Sequence, residues 1–303
     1  MYHFCTISTN SHLYKTLALA DSLEQGDDFV LHVLLVENGA QVQHPRCRFW
    51  NLDDIKSADN AAKIIEKYGN NNDKLRWCLK PVFLNFLLHY GEHKPESVIY
   101  LDNDLFFYNK YTFLFDLLKQ HSFLLTPHYY RNDPRSHQNW FEANFRVGLY
   151  NAGFVGASQS ATAGLNWWAN CCIYRCEKNA FRGLFDDQKY LDLLPVIDEK
   201  AHVLRHKGCN VAGWNTEICK RIQAGNEVLI DGKYPIVFIH FNSTTIREIA
   251  TGNDALLAEH FETYFQNLKK YNSTLVKDDL VLRYPFTDKV KYAVWKLFTE
   301  WGL

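Results

Sequence analysis

A mixed α/β fold around a mostly parallel sheet is what this sequence predicts, on three observations. Strand-like and helix-like runs alternate through the first half of the chain, the pattern of parallel sheets covered by helices. Phe29 to Val36 is almost continuously apolar, as in a strand buried on both faces. The apolar run Val98-Ile99-Tyr100-Leu101 stops abruptly at Asp102-Asn103-Asp104. It thus delivers two carboxylates at a strand's carboxyl end, where open α/β sheets bind ligands.

The elements follow in order. Tyr2 to Ile7 reads as the first strand. Asn10 or Ser11 is placed to cap a helix whose Leu13, Leu17, Ala20 and Leu23 keep helical spacing. Gly26-Asp27-Asp28 ends it, and a short third strand is expected over Arg48 to Leu52. Asp59 to Tyr68 reads as helix, closed by a polar loop from Gly69 to Asp73. A further helix begins near Lys80-Pro81, where proline suits a first helical position. Beyond Asp104, strands are expected over Ser122 to Thr126, Leu149 to Ser158 and Ile236 to Phe241, with helices over Ala161 to Arg175 and Gln188 to Leu194. His128 to Trp140, polar and rich in turn residues, reads as a mobile loop.

At 303 residues and 47% apolar, the chain can bury a large core. A formal charge of −1 with mixed signs excludes the basic face that nucleic-acid binding needs. Eight cysteines form no C-x-x-C pair, which argues against a zinc ribbon and for buried free thiols. The N-terminus enters a strand pattern directly, and no apolar run reaches the about 20 residues that span a bilayer. The expected compartment is therefore cytoplasmic, with reduced thiols.

In an extended backbone, residues two apart share a side, so Asp102 and Asp104 are expected to reach one cation. Hard oxygen donors suit Mg²⁺ or Mn²⁺, ions that commonly hold substrate phosphates as well. Turn-capping is the alternative role for the pair. Taken alone, His240 on an apolar strand reads equally as a core histidine. Lys80, at a helix start whose free N–H groups attract anions, suits a phosphate or donor-sugar contact, with an ordinary solvated lysine as the equal alternative.

Tyr100-Leu101-Asp102-Asn103-Asp104 resembles the D-x-D motif of nucleotide-sugar glycosyltransferases with the GT-A fold. Further elements come in matching order: Leu79-Lys80-Pro81 before it, then Asn151-Ala152-Gly153, Asp187-Gln188, Cys209 to Asn215, and Phe238-Ile239-His240-Phe241. The series is similar to bacterial glycosyltransferases related to family 8, the glycogenin and lipopolysaccharide galactosyltransferase family, over roughly residues 2 to 250.

The resemblance implies a GT-A catalytic domain over 1–270 and a C-terminal helical extension over 271–303. It implies Mn²⁺ or Mg²⁺ held by Asp102, Asp104 and His240, and a nucleotide-sugar donor, UDP-linked by expectation. The acceptor would be a saccharide or lipid-linked glycan of a bacterial surface. Asp187 and Gln188 fall nearest the reacting carbon: Asp187 as general base if the reaction inverts, Gln188 beside the anomeric carbon if it retains. Asp186 is the alternative helix cap there. Thr6, Asn10, Asn103, Asn151, Gly153, Trp214 and Asn215 match donor or sugar contacts. The glycine–lysine–proline–tryptophan pattern that usually follows the family's histidine is replaced by Phe241-Asn242-Ser243-Thr244, leaving Lys80 or Arg247 as the diphosphate clamp. The basic aromatic stretch from Thr287 to Leu303 suits packing onto the domain, or peripheral contact with an anionic membrane at its inner face. Two other functions share some of these features: a non-catalytic nucleotide or sugar binder, and a D-x-D phosphohydrolase.

Overall fold

The computed structural model describes residues 1–281 apart from 40–41, 92–93 and 136. The stretch 282–303, with most of the expected C-terminal extension and its Lys289, Val290, Val294 and Trp295, lies outside the described residues. The first half alternates β1 (Tyr2–Ser8), α1 (Leu13–Ser22), β2 (Phe29–Leu35), β3 (Cys47–Asn51), α2 (Leu52–Ile55), α3 (Ala61–Tyr68), α4 (Asn72–Cys78), α5 (Lys80–His89) and β4 (Ser97–Leu101). Then come β5 (Leu105–Phe107), α6 (Thr112–Leu118), β6 (Phe123–Pro127), α7 (Gln138–Arg146), β7 (Tyr150–Ser158) and α8 (Thr162–Tyr174). The remainder comprises β8 (Lys178–Asn179), β9 (Leu184–Phe185), α9 (Leu194–Ile197), β10 (Ala201–Val203), β11 (Arg221–Ala224), β12 (Glu227–Ile230), β13 (Tyr234–Pro235), β14 (Phe238–His240), α10 (Ser243–Ala250), α11 (Ala258–Tyr271) and α12 (Lys277–Leu280).

The central sheet has seven strands in the order β10-β6-β7-β4-β1-β2-β3. All its pairings are parallel except those of β7, which runs against both β4 and β6. The expected α/β class with a mostly parallel sheet is therefore what the chain adopts. From β1 the chain winds outward through β2 and β3, then returns to place β4 on the other side of β1. That reversal opens a crevice at the carboxyl ends of β1 and β4.

Helix α5 is apolar on nearly every side, and Lys80 to Leu88 are all buried, as a central helix requires. It packs with α8 in a core centred on Phe83, Leu84 and Trp168. The opposite face holds Phe4, Tyr111 and Phe154. A third cluster joins α10 and α11 to Phe106 and Phe241.

Three local expectations are corrected. The loop ending at Asp73 is short, because Asn71 caps α4 by accepting the Lys74 N–H at 3.0 Å. Neither Asn10 nor Ser11 caps α1; Thr9 precedes a 3-10 turn over Asn10–His12, and α1 starts after His12 without a side-chain cap. The segment Gln188–Leu193 is a 3-10 helix with Asp187, not Asp186, at its N-cap position and no side-chain cap bond. All eight cysteines are free thiols.

Candidate active site

The acidic pair converges differently from the extended reading. β4 ends at Leu101, and the Leu105 N–H bonds back to the Asp102 carbonyl at 3.1 Å. A tight turn, not a strand's alternation, therefore brings Asp102 and Asp104 together. The antiparallel pair β5–β14 then sets His240 across from Leu105, and the Phe241 N–H bonds the Asp104 carbonyl at 2.8 Å. One ligand atom from each of Asp102, Asp104 and His240 lies within 4.8 Å of the others. His240 Nε2 stands 3.1 Å from Asp104 Oδ1. Its Nδ1 is 3.3 Å from Asn210 Oδ1, to which it donates; Nε2, facing Asp104, also carries a proton, which a cation bound there would displace to take the lone pair. Burial opposes ionisation of both groups, but each outweighs it for the other: Asp104 is held well below the usual carboxylate range and His240 is raised.

This donor set fits a hard divalent ion: two carboxylates and an oriented imidazole. Gly153 supplies the needed space. A Cβ there would stand 2.6 Å from Asn151 Oδ1, 2.8 Å from His240 Cε1 and 2.9 Å from Asp102 Oδ2.

On one side of the cluster lies a cavity of about 220 Å³ walled by His12, Lys15, Arg76, Trp77 and the acidic turn. Asn103 lines it too, and its Nδ2 is buried with no hydrogen-bond partner. Burial first, then Arg76 and Lys15, lowers the His12 pKa.

On the other side, a cavity of about 330 Å³ is lined by Lys80, Asn151, Gly153, Asp187, Gln188 and Trp214, among others. Lys80 is 3% exposed. Its Nζ sits 3.4 Å from Asp102 Oδ1 and 3.3 Å from Asp187 Oδ2, and donates to the Ala152 carbonyl at 3.1 Å. Burial pulls its pKa down, but the two carboxylates outweigh that and raise it. Asp187 is pushed up to about 6, chiefly by burial and against the pull of Lys80. Gln188 is held at both ends, its Oε1 accepting from Ala152 N–H at 3.1 Å and its Nε2 donating to the Val147 carbonyl at 3.3 Å.

His128, assigned by sequence to a loop, is buried in this wall. Its Nδ1 lies 2.9 Å from the Gly148 carbonyl, and its Nε2 lies 3.3 Å from Asn151 Nδ2. Asn151 Oδ1 in turn accepts the Gly153 N–H at 2.6 Å. These partners fix the neutral Nδ1–H tautomer, and burial lowers the pKa to about 3. The ring stacks on Tyr130, which stacks on Trp140. The expected mobile loop thus contributes a packed aromatic wall. Tyr129, Asp186 and Asn210 take left-handed backbone conformations beside His128, Asp187 and the His240 contact. Non-glycine residues of that kind cluster where a site is held in shape.

The remaining expected residues divide. Trp214 lines the second cavity, edge-on to His240 at 5.2 Å, with its N–H donating to the His128 carbonyl. Asn215 is buried behind it, its amide committed to the Asn210 carbonyl, the Ala212 N–H and Arg221. Thr6 is fully buried on β1. Asn10 sits on the exposed rim, tied to Glu37 and Asn38 after β2. Arg247 points out from α10 beside Glu248. Sequence reasoning missed His12, Lys15, Arg76 and Trp77. The available signal was their place after β1 and just before Lys80, two segments flanking the switch point.

No family model matches the chain. Among solved structures it is similar to mouse xyloside xylosyltransferase 1, at 14% identity over 80% of this chain and 98% of that one, with a TM-score of 0.49. It is also similar to the galactosyltransferase LgtC crystallised with donor and acceptor sugar analogs, at 14% identity over 78% of this chain and 86% of that one, with a TM-score of 0.44. The Bacillus subtilis (strain 168) protein YfnF is 29% identical over 256 residues, covering 81% of this chain and 82% of YfnF. The uncharacterized protein YfnD of the same organism is 31% identical over 252 residues, covering 81% of this chain and 78% of YfnD. At that identity and coverage, the chain belongs to the same family as YfnD.

Proposed function

We propose that the protein is a divalent-metal-dependent GT-A glycosyltransferase that moves a sugar from a nucleotide donor, UDP-linked, to a saccharide or lipid-linked acceptor of a bacterial surface glycan. The observation that carries this reading is the order of groups along the cleft. A cationic cavity with Lys15 and Arg76, the Asp102–Asp104–His240 cluster, and a cavity floored by Lys80, Asp187 and Gln188 follow one another, sharing Asp102 and Trp77. A nucleoside diphosphate sugar has the matching order: nucleoside and phosphates, then the sugar.

Mn²⁺ or Mg²⁺ held by Asp102, Asp104 and His240 would neutralise charge on the departing diphosphate. The chain's own residues do the rest. Lys15 and Arg76 attract the phosphates, replacing the lysine absent after His240. Lys80 stands between Asp102 and Asp187, fixing both carboxylates. Asn151 and Trp214 border the sugar, and the wall of His128, Tyr130 and Trp140 excludes water from it. Asp187, raised to about 6, has the proton affinity of a general base working near neutrality. In that inverting course it takes the acceptor hydroxyl's proton. In a retaining course the leaving phosphate takes that proton, and Gln188, clamped by Ala152 and Val147, borders the anomeric carbon.

The test is calorimetry with UDP and Mn²⁺, a donor screen across nucleotide sugars, and NMR of the product's anomeric configuration. Metal-dependent UDP binding with turnover is expected, and an Asp102→Asn/Asp104→Asn double variant should lose both. Binding without turnover would favour a sugar- or nucleotide-binding module. Cleavage of a phosphomonoester with indifference to UDP-sugars would favour the phosphohydrolase.

A further inference from the structure

Beyond the cleft described so far, a third cavity of about 550 Å³ opens between α7 and the β8–β9 hairpin. Its floor is Trp140, Ala143, Val147, Leu184 and Phe185. It is continuous with the Asp187 cavity, because Trp140, Val147, Lys178 and Phe185 line both. The cleft therefore runs through three compartments, from cationic through mixed to apolar. A sugar hydroxyl does not need an apolar seat of this size. An apolar group attached to the sugar does.

We infer that this groove seats the lipid end of the acceptor, so that the preferred acceptor is a glycan carried on an alkyl or isoprenoid chain. The inference rests on the glycosyltransferase reading and names the acceptor class for that same site. Two further features agree with a lipid. Arg146 and Lys178 border the apolar floor, each with an acidic partner behind it (Glu142 at 3.7 Å, Asp186 at 3.4 Å), and no carboxylate is among its described lining residues, so the rim offers cationic groups to the anionic linkers that join glycans to lipids. Apolar side chains also continue outward from it. Phe181 is fully exposed in the turn between β8 and β9, Phe145 on α7 is 62% exposed, and Leu149 is 46% exposed. Exposed apolar surface of this kind, next to a basic rim, marks a site for an apolar partner. A free, fully hydrated oligosaccharide would gain less from it, through the contacts of its C–H faces with Trp140 and Phe185 alone.

The experiment compares binding of n-octyl β-D-glucoside, below its micelle concentration, with methyl β-D-glucoside, by calorimetry on the full chain. Each buried methylene favours binding, so the octyl compound is expected to bind at least about tenfold more tightly. Leu184 lines only the apolar groove among the three compartments. Leu184→Asp should abolish the difference and Leu184→Met should keep it, with UDP–Mn²⁺ affinity unchanged in both. Equal affinity of the wild type for the two glucosides overturns the inference, as does a Leu184→Asp variant that still discriminates. UDP–Mn²⁺ binding is the separate readout of the glycosyltransferase reading. If the wild type fails to bind UDP yet discriminates by chain length, that reading fails and the groove's preference for an alkyl chain stands.

Discussion

Gly153→Ala adds one methyl group at the point where β7 crosses the acidic turn. The Asp102 N–H bonds the Gly153 carbonyl at 2.7 Å, so the glycine faces Asp102 directly. The new Cβ would meet Asn151 Oδ1 at 2.6 Å, His240 Cε1 at 2.8 Å and Asp102 Oδ2 at 2.9 Å. Two of those three groups are proposed metal ligands, and the third accepts the Gly153 N–H. None can move without cost. A shift of His240 weakens its bond to Asn210, which fixes the tautomer, and a shift of Asn151 breaks its link to His128. Overpacking of this size costs about 1–3 kcal/mol of stability. Disturbed ligand support weakens metal affinity by about 10–100-fold, equal to about 1.4–2.8 kcal/mol. Gly156→Ala is the control. It lies on the same strand, but its Cβ would press on Leu118 and Leu124 at 3.1 Å, so it should lower the urea midpoint and leave the metal alone. Mn²⁺ titration in the presence of UDP, alongside urea unfolding, measures both effects. Wild-type Mn²⁺ affinity in Gly153→Ala, or equal loss of affinity in Gly156→Ala, would refute this account of the site.

Lys80→Met leaves Asp102 and Asp187 facing each other with no buried cation between them, so urea unfolding should show a loss of about 3–5 kcal/mol; adding Asp187→Leu should recover part of it. His128 has a folded-state pKa of about 3, below the ordinary value of about 6.5. The unfolded chain therefore binds more protons between those values, and stability falls as pH drops. From pH 7 to pH 5 this histidine costs about 2 kcal/mol; His128→Gln should flatten the urea-midpoint profile, whereas a profile parallel to wild type contradicts the buried neutral ring. Arg76→Ala should weaken UDP–Mn²⁺ binding by about 10–100-fold, as loss of a charge-assisted hydrogen bond does. Arg247→Ala, out on α10, should not; the reverse result would place the phosphate clamp on the other side of the cluster.

How much of this was legible depends on whether the signal was local. The strand ending in Asp102-Asn103-Asp104 announced itself, because an apolar run and its terminating charges are neighbours in sequence. Pro81 gave the start of α5 for the same reason. His240 could be paired with Asp104 only through the motif's resemblance to known enzymes, since the β5–β14 pairing that joins them is between distant segments. His128 was illegible. Its neighbours Asn132, Asp133 and Pro134 are turn residues, and only the stacked rings of Tyr130 and Trp140 turn the segment into a wall. Asn215 erred in the opposite sense. An amide near a motif reads as a sugar contact, but Arg221 and the backbone of Asn210 and Ala212 consume it.

The charges buried around Lys80 bear on why the site is built at the sheet's switch point at all. A buried cation between carboxylates is seldom the most stable use of that volume, since apolar side chains of similar size often do as well or better. Lys80 is 3% exposed and Asp187 is 2% exposed; Lys80 opens α5, whose other buried residues are almost all apolar, and Asp187 precedes the 3-10 segment Gln188–Leu193. Trp168 further pins the Asp187 carbonyl through its indole N–H at 2.9 Å. Packing alone would be served by leucine at both positions. The arrangement instead holds a carboxylate against the cavity wall, beside the acidic turn, in an orientation that neither side chain could keep by itself. That rigid placement costs stability in the resting protein and agrees with the proposed nucleotide-sugar donor, whose charge changes when its glycosidic bond to phosphate breaks.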